Sequence, residues 1–445
     1  MRRLFGTDGI RGDSSKFPFD NKTLNAIGMA IAEVLGSNKN ILIVRDTRES
    51  GKRIQKELAK GMSKMRIKPV FSGIMPTPAA ASLIVKNATY SAAIVISASH
   101  NPYMDNGIKI FNSKGFKLAE SIEKKIEHKV KKYLDLKVIT DNKLLIKEDL
   151  SFIKSYANFL IKNFKGKSLK GKTIVIDCAN GASYKVAPYV LKKLGAKVIA
   201  LNIKPNGKNI NSKCGALYPE FVAKYVKKYS AFCGFAFDGD SDRLMCVDEN
   251  GIIRDGDFFL AAMARWLKKN NKLKNNVLVS TVMANLGLIR AMRDEKINII
   301  LSKVGDRYVV ENMKKYKSCL GGEQSGHFIF KDVSTTGDGI LSSIMLLCAL
   351  CQSNKTMSEF MEGLEKFPQV LINSKIVKKV PIEQLPKSYK LIKVYEKSLG
   401  QDGRILVRYS GTENLLRVMV EGKNTEEIKK IAESLISSIC KEVSC

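Results

Sequence analysis

Histidine is scarce in this chain, three in 445 residues, and tryptophan occurs once. Long apolar runs are missing too. No stretch approaches the roughly 18 uninterrupted apolar residues of a membrane helix, so no membrane span is read, and no membrane partner is expected. The start, MRRLFGTDGIRGD, has neither an apolar core nor a small-residue cleavage site, so no secretory signal is expected. The nine cysteines are odd in number and scattered, which argues against a disulfide framework and for a reducing compartment, the cytoplasm. Cys348 and Cys351 form a CxxC, but inside the apolar, helix-like ILSSIMLLCALC. With no second pair at zinc spacing, core packing is the expectation and redox or metal work the alternative. GKSLKGKT, Gly166 to Thr173, has the GxxxxGKS/T spacing, but it leads into the strand-like TIVID instead of following a strand and opening a helix, so a P-loop nucleotide enzyme is not the expectation.

Acidic residues are also outnumbered, 43 against 75 basic ones, leaving a net charge of +32. That surplus admits a nucleic-acid-binding protein as an alternative of a different class. However, no nucleic-acid motif or arginine-rich tail accompanies it. The lysines spread through helix-like stretches such as IEKKIEHKVKKYLDLK, Ile122 to Lys137, as they do on solvated faces. A positive field would equally draw phosphorylated small molecules.

The length suggests roughly two to four domains. Apolar runs alternate with amphipathic stretches: ILIVRD (Ile41–Asp46), helix-like SGKRIQKELAKGMSKM (Ser50–Met65), PVFSGI (Pro69–Ile74), then SAAIVISAS ending at Ser99. The alternation restarts with TIVIDCANGAS after the basic Lys162–Lys172 stretch, and again with NNVLVST after Gly256. Such repeats read as βαβ units. We therefore expect an α/β fold: three similar α/β domains with mixed, largely parallel sheets, and a small C-terminal α+β domain, around a central cleft. The expected divisions are 1–155, 156–253, 254–368 and 369–445. From about Asn373, RILVRYS and LLRVMVEG read as two strands packed under the helix-like TEEIKKIAESLISSICKEV. In such sheets ligands bind beyond the carboxyl ends of the strands.

Polar clusters fall at those ends. DGDSDR spaces Asp238, Asp240 and Asp242 at alternate positions, before Arg243. Carboxylates so spaced can converge on a hard cation such as magnesium, which shares its remaining positions with phosphate oxygens. An EF-hand is excluded because its sixth position, Arg243, is not glycine. The alternative is a polar turn with aspartate caps. Ser97 and Ser99 end an apolar run, next to His100. Neighbours in a strand point to opposite faces, so His100 is poorly placed as a base for Ser99. A nucleophile and a turn closing the strand are equally open locally. RYSGTENLLR sets Arg408 and Arg417 about a Ser410-Gly411-Thr412 turn whose hydroxyls, backbone N–H groups and guanidinium forks suit phosphate; a hairpin with surface arginines is the alternative. In GGEQSGH, Glu323, Ser325 and His327 alternate and could grip a polyol and exchange its proton; a polar turn with a satisfied histidine is the alternative, favoured for this motif alone but not beside the other loops.

SASHNP, DGDSDR, GEQSGH and RYSGTE, in this order and spacing, resemble the signature loops of the α-D-phosphohexomutases across essentially the whole chain. FGTDGIRG, IDCANGAS, PNGKNIN (Pro205–Asn211) and STVMANLGL (Ser280–Leu288) look like the members acting on glucosamine phosphates. GALYPE after Cys214 departs from the Ser-Thr-His that related members often carry.

The resemblance implies that Ser99 carries the phosphoryl group, with His100 and Asn101 shaping its loop. Asp238, Asp240 and Asp242, with an oxygen on Ser99, would hold one Mg2+. Arg11 and Arg243 would face substrate or phosphate. Lys109 and His327 would do acid/base work, Lys109 with a pKa depressed by nearby positive charge. Glu323, Ser325, Arg408, Ser410, Gly411, Thr412 and Arg417 would bind the phosphosugar. The implied reaction interconverts glucosamine 6-phosphate and glucosamine 1-phosphate through a 1,6-bisphosphate, for amino-sugar nucleotides and cell wall. Glucosamine or glucose 1,6-bisphosphate, or a kinase, would prime Ser99. A monomer or homodimer is expected, and glucose or mannose phosphates are the rival substrates.

Overall fold

The computed structural model describes residues 4–6, 8–37, 39–135, 145–166, 168–410 and 414–443. They form two compact units, Met1–Val282 with Asn298–Glu362, and Met283–Ile297 with Gly363–Cys445. Among the described residues no helix is long and apolar enough to cross a membrane.

Short β-branched and apolar runs make the strands, and each sheet of the first unit repeats one pattern. The first contains β1 (Phe5–Gly6), β2 (Gly9–Asp13), β3 (Asn40–Arg45), β4 (Pro69–Ile74), β5 (Tyr90–Ile96) and β6 (Asp105–Asn112). Its order is β1-β2-β6-β5-β3-β4. The second has β7 (Thr173–Asp177), β8 (Lys197–Leu201), β9 (Cys233–Phe237), β10 (Leu244–Val247) and β11 (Ile253–Arg254), in the order β11-β10-β9-β7-β8. The third has β12 (Val277–Thr281), β13 (Asn298–Ser302), β14 (Leu320–Gly322) and β15 (Phe328–Phe330), in the order β13-β12-β14-β15.

In all three, the first strand of a βαβαβ run lies between the second and third, all parallel. The next strand turns back antiparallel beside the third. The three runs of alternation in the sequence are thus three copies of one topology, mixed rather than wholly parallel. Cys348 and Cys351 are free thiols, and both lie in the helix Gly339–Ser353.

That helix is capped by Asp338, whose carboxylate accepts the Leu341 N–H at 2.9 Å and the Tyr156 hydroxyl at 2.8 Å. Burial pushes the Asp338 carboxyl up to about 7. It therefore holds its proton to higher pH in the folded chain than in the unfolded one. Its stabilising contribution is fully present below about 4, the unfolded carboxyl's range, and is lost as pH rises through about 7. Relative to Asp338→Asn, the wild-type melting temperature should fall across that window; parallel pH profiles for the two proteins would contradict this.

In the second unit β16 (Gln369–Lys375), β17 (Arg404–Tyr409) and β18 (Leu415–Glu421) form an antiparallel sheet in the order β16-β18-β17. The helix Thr425–Val443 covers it through Ile428, Ile431, Leu435 and Ile439. The two-strand expectation is one strand and one helix short. In β16 no residue is fully buried, so QVLINSK carries a weak apolar signal, and the helix Pro386–Leu399 is largely polar. Asn285, within STVMANLGL, donates to Glu421 at 3.1 Å, and Arg404 Nε donates to the same carboxylate at 2.5 Å.

Candidate active site

Three of the four polar motifs occupy one equivalent place. SASHNP joins β5 to β6, DGDSDR joins β9 to β10, and the Glu323–His327 stretch joins β14 to β15. Each follows the third parallel strand of its repeat, at its carboxyl end, where polar groups can gather without breaking a strand ladder.

Ser99 lies three residues past the end of β5 with a φ of +54°. Strand alternation therefore does not apply to it. His100 Nδ1 stands 3.3 Å from Ser99 Oγ, on the same side, contrary to the expectation from strand geometry. Burial, then the Arg243 and Arg11 charges, push the His100 imidazole down to about 4, so it is neutral near pH 7. The Ser99 hydroxyl donates to Asp238 Oδ2 at 2.5 Å.

Asp238, Asp240 and Asp242 are buried, and one oxygen of each lies within 4.8 Å of the others. Asp238 accepts the backbone N–H of Arg243 at 3.1 Å. Burial, then Asp242 and Asp240, hold the Asp238 carboxyl well above its ordinary range. Such an arrangement needs positive charge. Lys109 supplies part of it, with Nζ 2.9 Å from Asp240, 3.1 Å from Asp242 and 3.4 Å from Asp8. Asp240 Oδ1 and Asp242 Oδ1 are buried without a hydrogen-bond partner. Three converging hard oxygen donors, two with free lone pairs, fit a divalent cation such as magnesium.

Lys109 departs from the expected depression. Burial works to lower its pKa, but Asp240, Asp242 and Asp8 together outweigh it and hold the ammonium well above the ordinary lysine range. The same ammonium works against burial on Asp242, which stays below the usual carboxylate range.

Arg11 pairs with Asp8. Asp8 also pairs with Lys117, which reaches Asp306 at 2.5 Å, and His327 Nε2 stands 3.7 Å from that Asp306. Both ring nitrogens of His327 are buried without a hydrogen-bond partner. Glu323 accepts the Gly305 N–H at 3.0 Å and lies 3.5 Å from the Ser325 hydroxyl. Arg243 pairs weakly with Asp242 at 4.0 Å. The structure thus brings Ser99, His100, Lys109, Arg11, Arg243 and the three aspartates together, with His327 joined through Asp306. Asp8, Thr77, Lys117 and Asp306 are the residues that sequence reasoning missed. Thr77 donates to Asp240 at 2.6 Å. Asp8 lies within FGTDGIRG, so a signal for it existed, whereas Thr77, Lys117 and Asp306 stand in no polar motif.

In the second unit Arg408 and Arg417 are paired directly across β17 and β18. Burial, then the Arg417 charge, lower the Arg408 pKa. Two like charges held side by side favour an anion between them. The Ser410 carbonyl accepts Lys379 Nζ at 2.6 Å, adding a third cation. Gly411 and Thr412 lie outside the described residues.

Family models match in sequence: phosphoglucomutase/phosphomannomutase alpha/beta/alpha domain I over residues 2–137, domain II over 151–251, domain III over 255–367 and the C-terminal domain over 371–438. Phosphoglucosamine mutase from Desulfotalea psychrophila is 45% identical, over 99% of each chain. That from Chlamydia abortus is 41% identical over 100% of this chain and 98% of its own. The fold is similar to a phosphoglucomutase/phosphomannomutase family protein from Burkholderia thailandensis, with a TM-score of 0.80 at 24% identity over 99% and 98% of the two chains. It is also similar to Aspergillus fumigatus N-acetylphosphoglucosamine mutase, solved with GlcNAc-6P and magnesium, with a TM-score of 0.67 at 16% identity over 99% and 96%. Full-length likeness to the enzymes and a match to every domain of the family agree with what the loops and the repeated topology imply, and the chain belongs to the phosphoglucomutase/phosphomannomutase family of α-D-phosphohexomutases.

Proposed function

We propose that the chain is a phosphoglucosamine mutase, interconverting glucosamine 6-phosphate and glucosamine 1-phosphate through a phosphoserine at Ser99 and a 1,6-bisphosphate. The observation that carries this reading is the Ser99 hydroxyl 2.5 Å from Asp238, inside a cluster of three buried aspartates. In the forward direction the Ser99–phosphoryl bond breaks as the bond to the sugar's O1 forms, and the O1 proton leaves to a base. After the bisphosphate reorients, its 6-phosphoryl passes to Ser99 and a proton returns to O6.

Asp238, Asp240 and Asp242, with a Ser99 oxygen, would hold one Mg2+, whose charge offsets that of the transferring phosphoryl group. Lys109, held as an ammonium, suits the donor side of the proton exchange. His327, whose ring nitrogens have no hydrogen-bond partner, suits the acceptor side. Neutral His100 orients the Ser99 hydroxyl, and Arg11 and Arg243 face phosphate. Glu323 and Ser325 would grip the sugar. Arg408, Ser410, Gly411, Thr412 and Arg417 would hold the phosphate that is not reacting. Glucosamine or glucose 1,6-bisphosphate, or a kinase, would prime Ser99.

The three-fold topology and the family matches support four domains at 1–155, 156–253, 254–368 and 369–445. All eight described cysteines are free, which supports the cytoplasm as the compartment. The product would feed amino-sugar nucleotide and cell-wall synthesis.

Turnover of glucosamine, glucose and mannose 6-phosphates by Ser99-phosphorylated protein tests the sugar assignment. The highest kcat/KM is expected for glucosamine 6-phosphate; equal or better use of glucose or mannose phosphate would transfer the assignment to the rival mutases. Arg408→Ala or Arg417→Ala should each remove a charge-assisted contact of about 1.5–3 kcal/mol, roughly ten- to a hundredfold in affinity. Both phosphosugars should weaken alike, with bisphosphate released during turnover. Unchanged kinetics in both directions would reduce these arginines to a surface hairpin.

A further inference from the structure

PNGKNIN has no part in the chemistry above, yet its last residue reaches the backbone of the nucleophile. Ser99 sits in the left-handed region, which is unfavourable for a residue with a Cβ and persists only where its surroundings over-determine it. Two donors do so. The Asn211 amide donates to the Ser99 carbonyl at 2.8 Å and to the Asn101 carbonyl at 3.0 Å. Arg48 Nη2 donates to the same two oxygens at 3.2 and 2.6 Å. Arg48 is buried and is itself fixed by an ion pair with buried Asp46. The Ser99 N–H donates to Ser97 Oγ at 3.0 Å, completing the hold on the turn.

The donors come from loops of different sheets that are tied to each other. The Glu49 N–H donates to the Gly207 carbonyl at 3.0 Å, and the Thr47 hydroxyl to the Asn180 carbonyl at 2.6 Å. Gly239 of the aspartate loop presses on the same point: a Cβ there would lie 2.6 Å from the Ser99 carbonyl oxygen and 2.8 Å from Asn211 Nδ2. Only a residue without a side chain lets the aspartates come this close to the clasped turn.

We propose that Asn211, acting with Arg48, is a positioning residue: it clasps both carbonyls of the Ser99 turn and keeps Ser99 Oγ aimed at the aspartate cluster. The inference rests on the mutase reading and assigns Asn211 no contact with the sugar. Misaiming the nucleophile slows phosphoryl transfer without weakening substrate binding.

The test uses full-length protein phosphorylated with glucose 1,6-bisphosphate and assayed on glucosamine 6-phosphate. Asn211→Asp keeps the side-chain shape but cannot donate. Asn211→Gly removes the side chain and tolerates the φ of +58° at this position. Asn209→Ala is the control, because Asn209 braces the same loop through Asn206 and Lys204 without touching Ser99.

Both Asn211 variants should lose kcat by roughly thirty- to a hundredfold with KM close to wild type, while Asn209→Ala stays near wild type. If a variant melts early, all proteins are compared at a temperature where each is folded. Wild-type kcat in Asn211→Gly, an equal loss in Asn209→Ala, or a loss carried by KM would each overturn the clasp. A wild-type chain inactive on glucosamine 6-phosphate but active on another hexose phosphate overturns only the sugar assignment, and the same variants are then read on that sugar.

Discussion

Ser99→Ala is expected to show no measurable interconversion of the two glucosamine phosphates. The reaction needs an oxygen that can receive one phosphoryl group and release it to either end of the sugar. Ser97, two residues upstream, has its hydroxyl on the Ser99 N–H, whereas it is the Ser99 hydroxyl that meets Asp238, so Ser97 is not placed to take over. The fold should survive. Alanine replaces serine at the same backbone conformation, and the lost hydrogen bond to Asp238 costs about 1–3 kcal/mol at most. Intact-protein mass after incubation with glucose 1,6-bisphosphate should show one phosphate on the wild type and none on the variant. Full turnover by Ser99→Ala, or an undiminished phosphate adduct, would remove Ser99 from the mechanism.

The second large effect is expected at Asp240. Its Oδ2 accepts from Thr77 at 2.6 Å and from Lys109 at 2.9 Å, and its Oδ1 is free for a cation. Asp240→Asn keeps the shape but removes one negative charge and reduces the oxygens from two to one. An amide cannot ion-pair with Lys109, although Asp242 and Asp8 still can. We therefore expect turnover to fall by roughly 10²- to 10³-fold. Magnesium should bind more weakly, and stability should change far less than turnover. Titrating metal back into EDTA-treated protein gives the affinity directly. A wild-type enzyme fully active in excess EDTA would show that the aspartates work without a cation. An Asp240→Asn variant with wild-type kinetics would exclude Asp240 from the site.

Much of this was legible because it is local. The runs ILIV, AAIVI and TIVI declare strands through their own β-branched and apolar side chains. The amphipathic stretches between them declare helices, and three runs of that alternation became three sheets of one topology. The aspartates of DGDSDR, Ser99 and the paired arginines were legible for the same reason: each is a short polar motif at the end of an apolar run. The tail was read less well. Its first strand, Gln369–Lys375, is nowhere fully buried and so carries little periodic signal.

What the sequence by itself determined, then, is the repeated α/β organisation and which polar motifs end the strands. Only the tertiary structure decided how those motifs act on one another. The charge on Lys109 depends on Asp240 and Asp242, which lie 131 and 133 residues away in the chain. No local pattern contains that distance, and the expected depression became a rise. His100 came to the side of Ser99 because the strand had already ended, so alternation no longer governed the side chains. The clasp on the Ser99 turn joins residues 51 and 112 positions away. Hydrogen bonds and Coulomb forces act through space between groups a few ångströms apart, so their partners are fixed when the sheets pack.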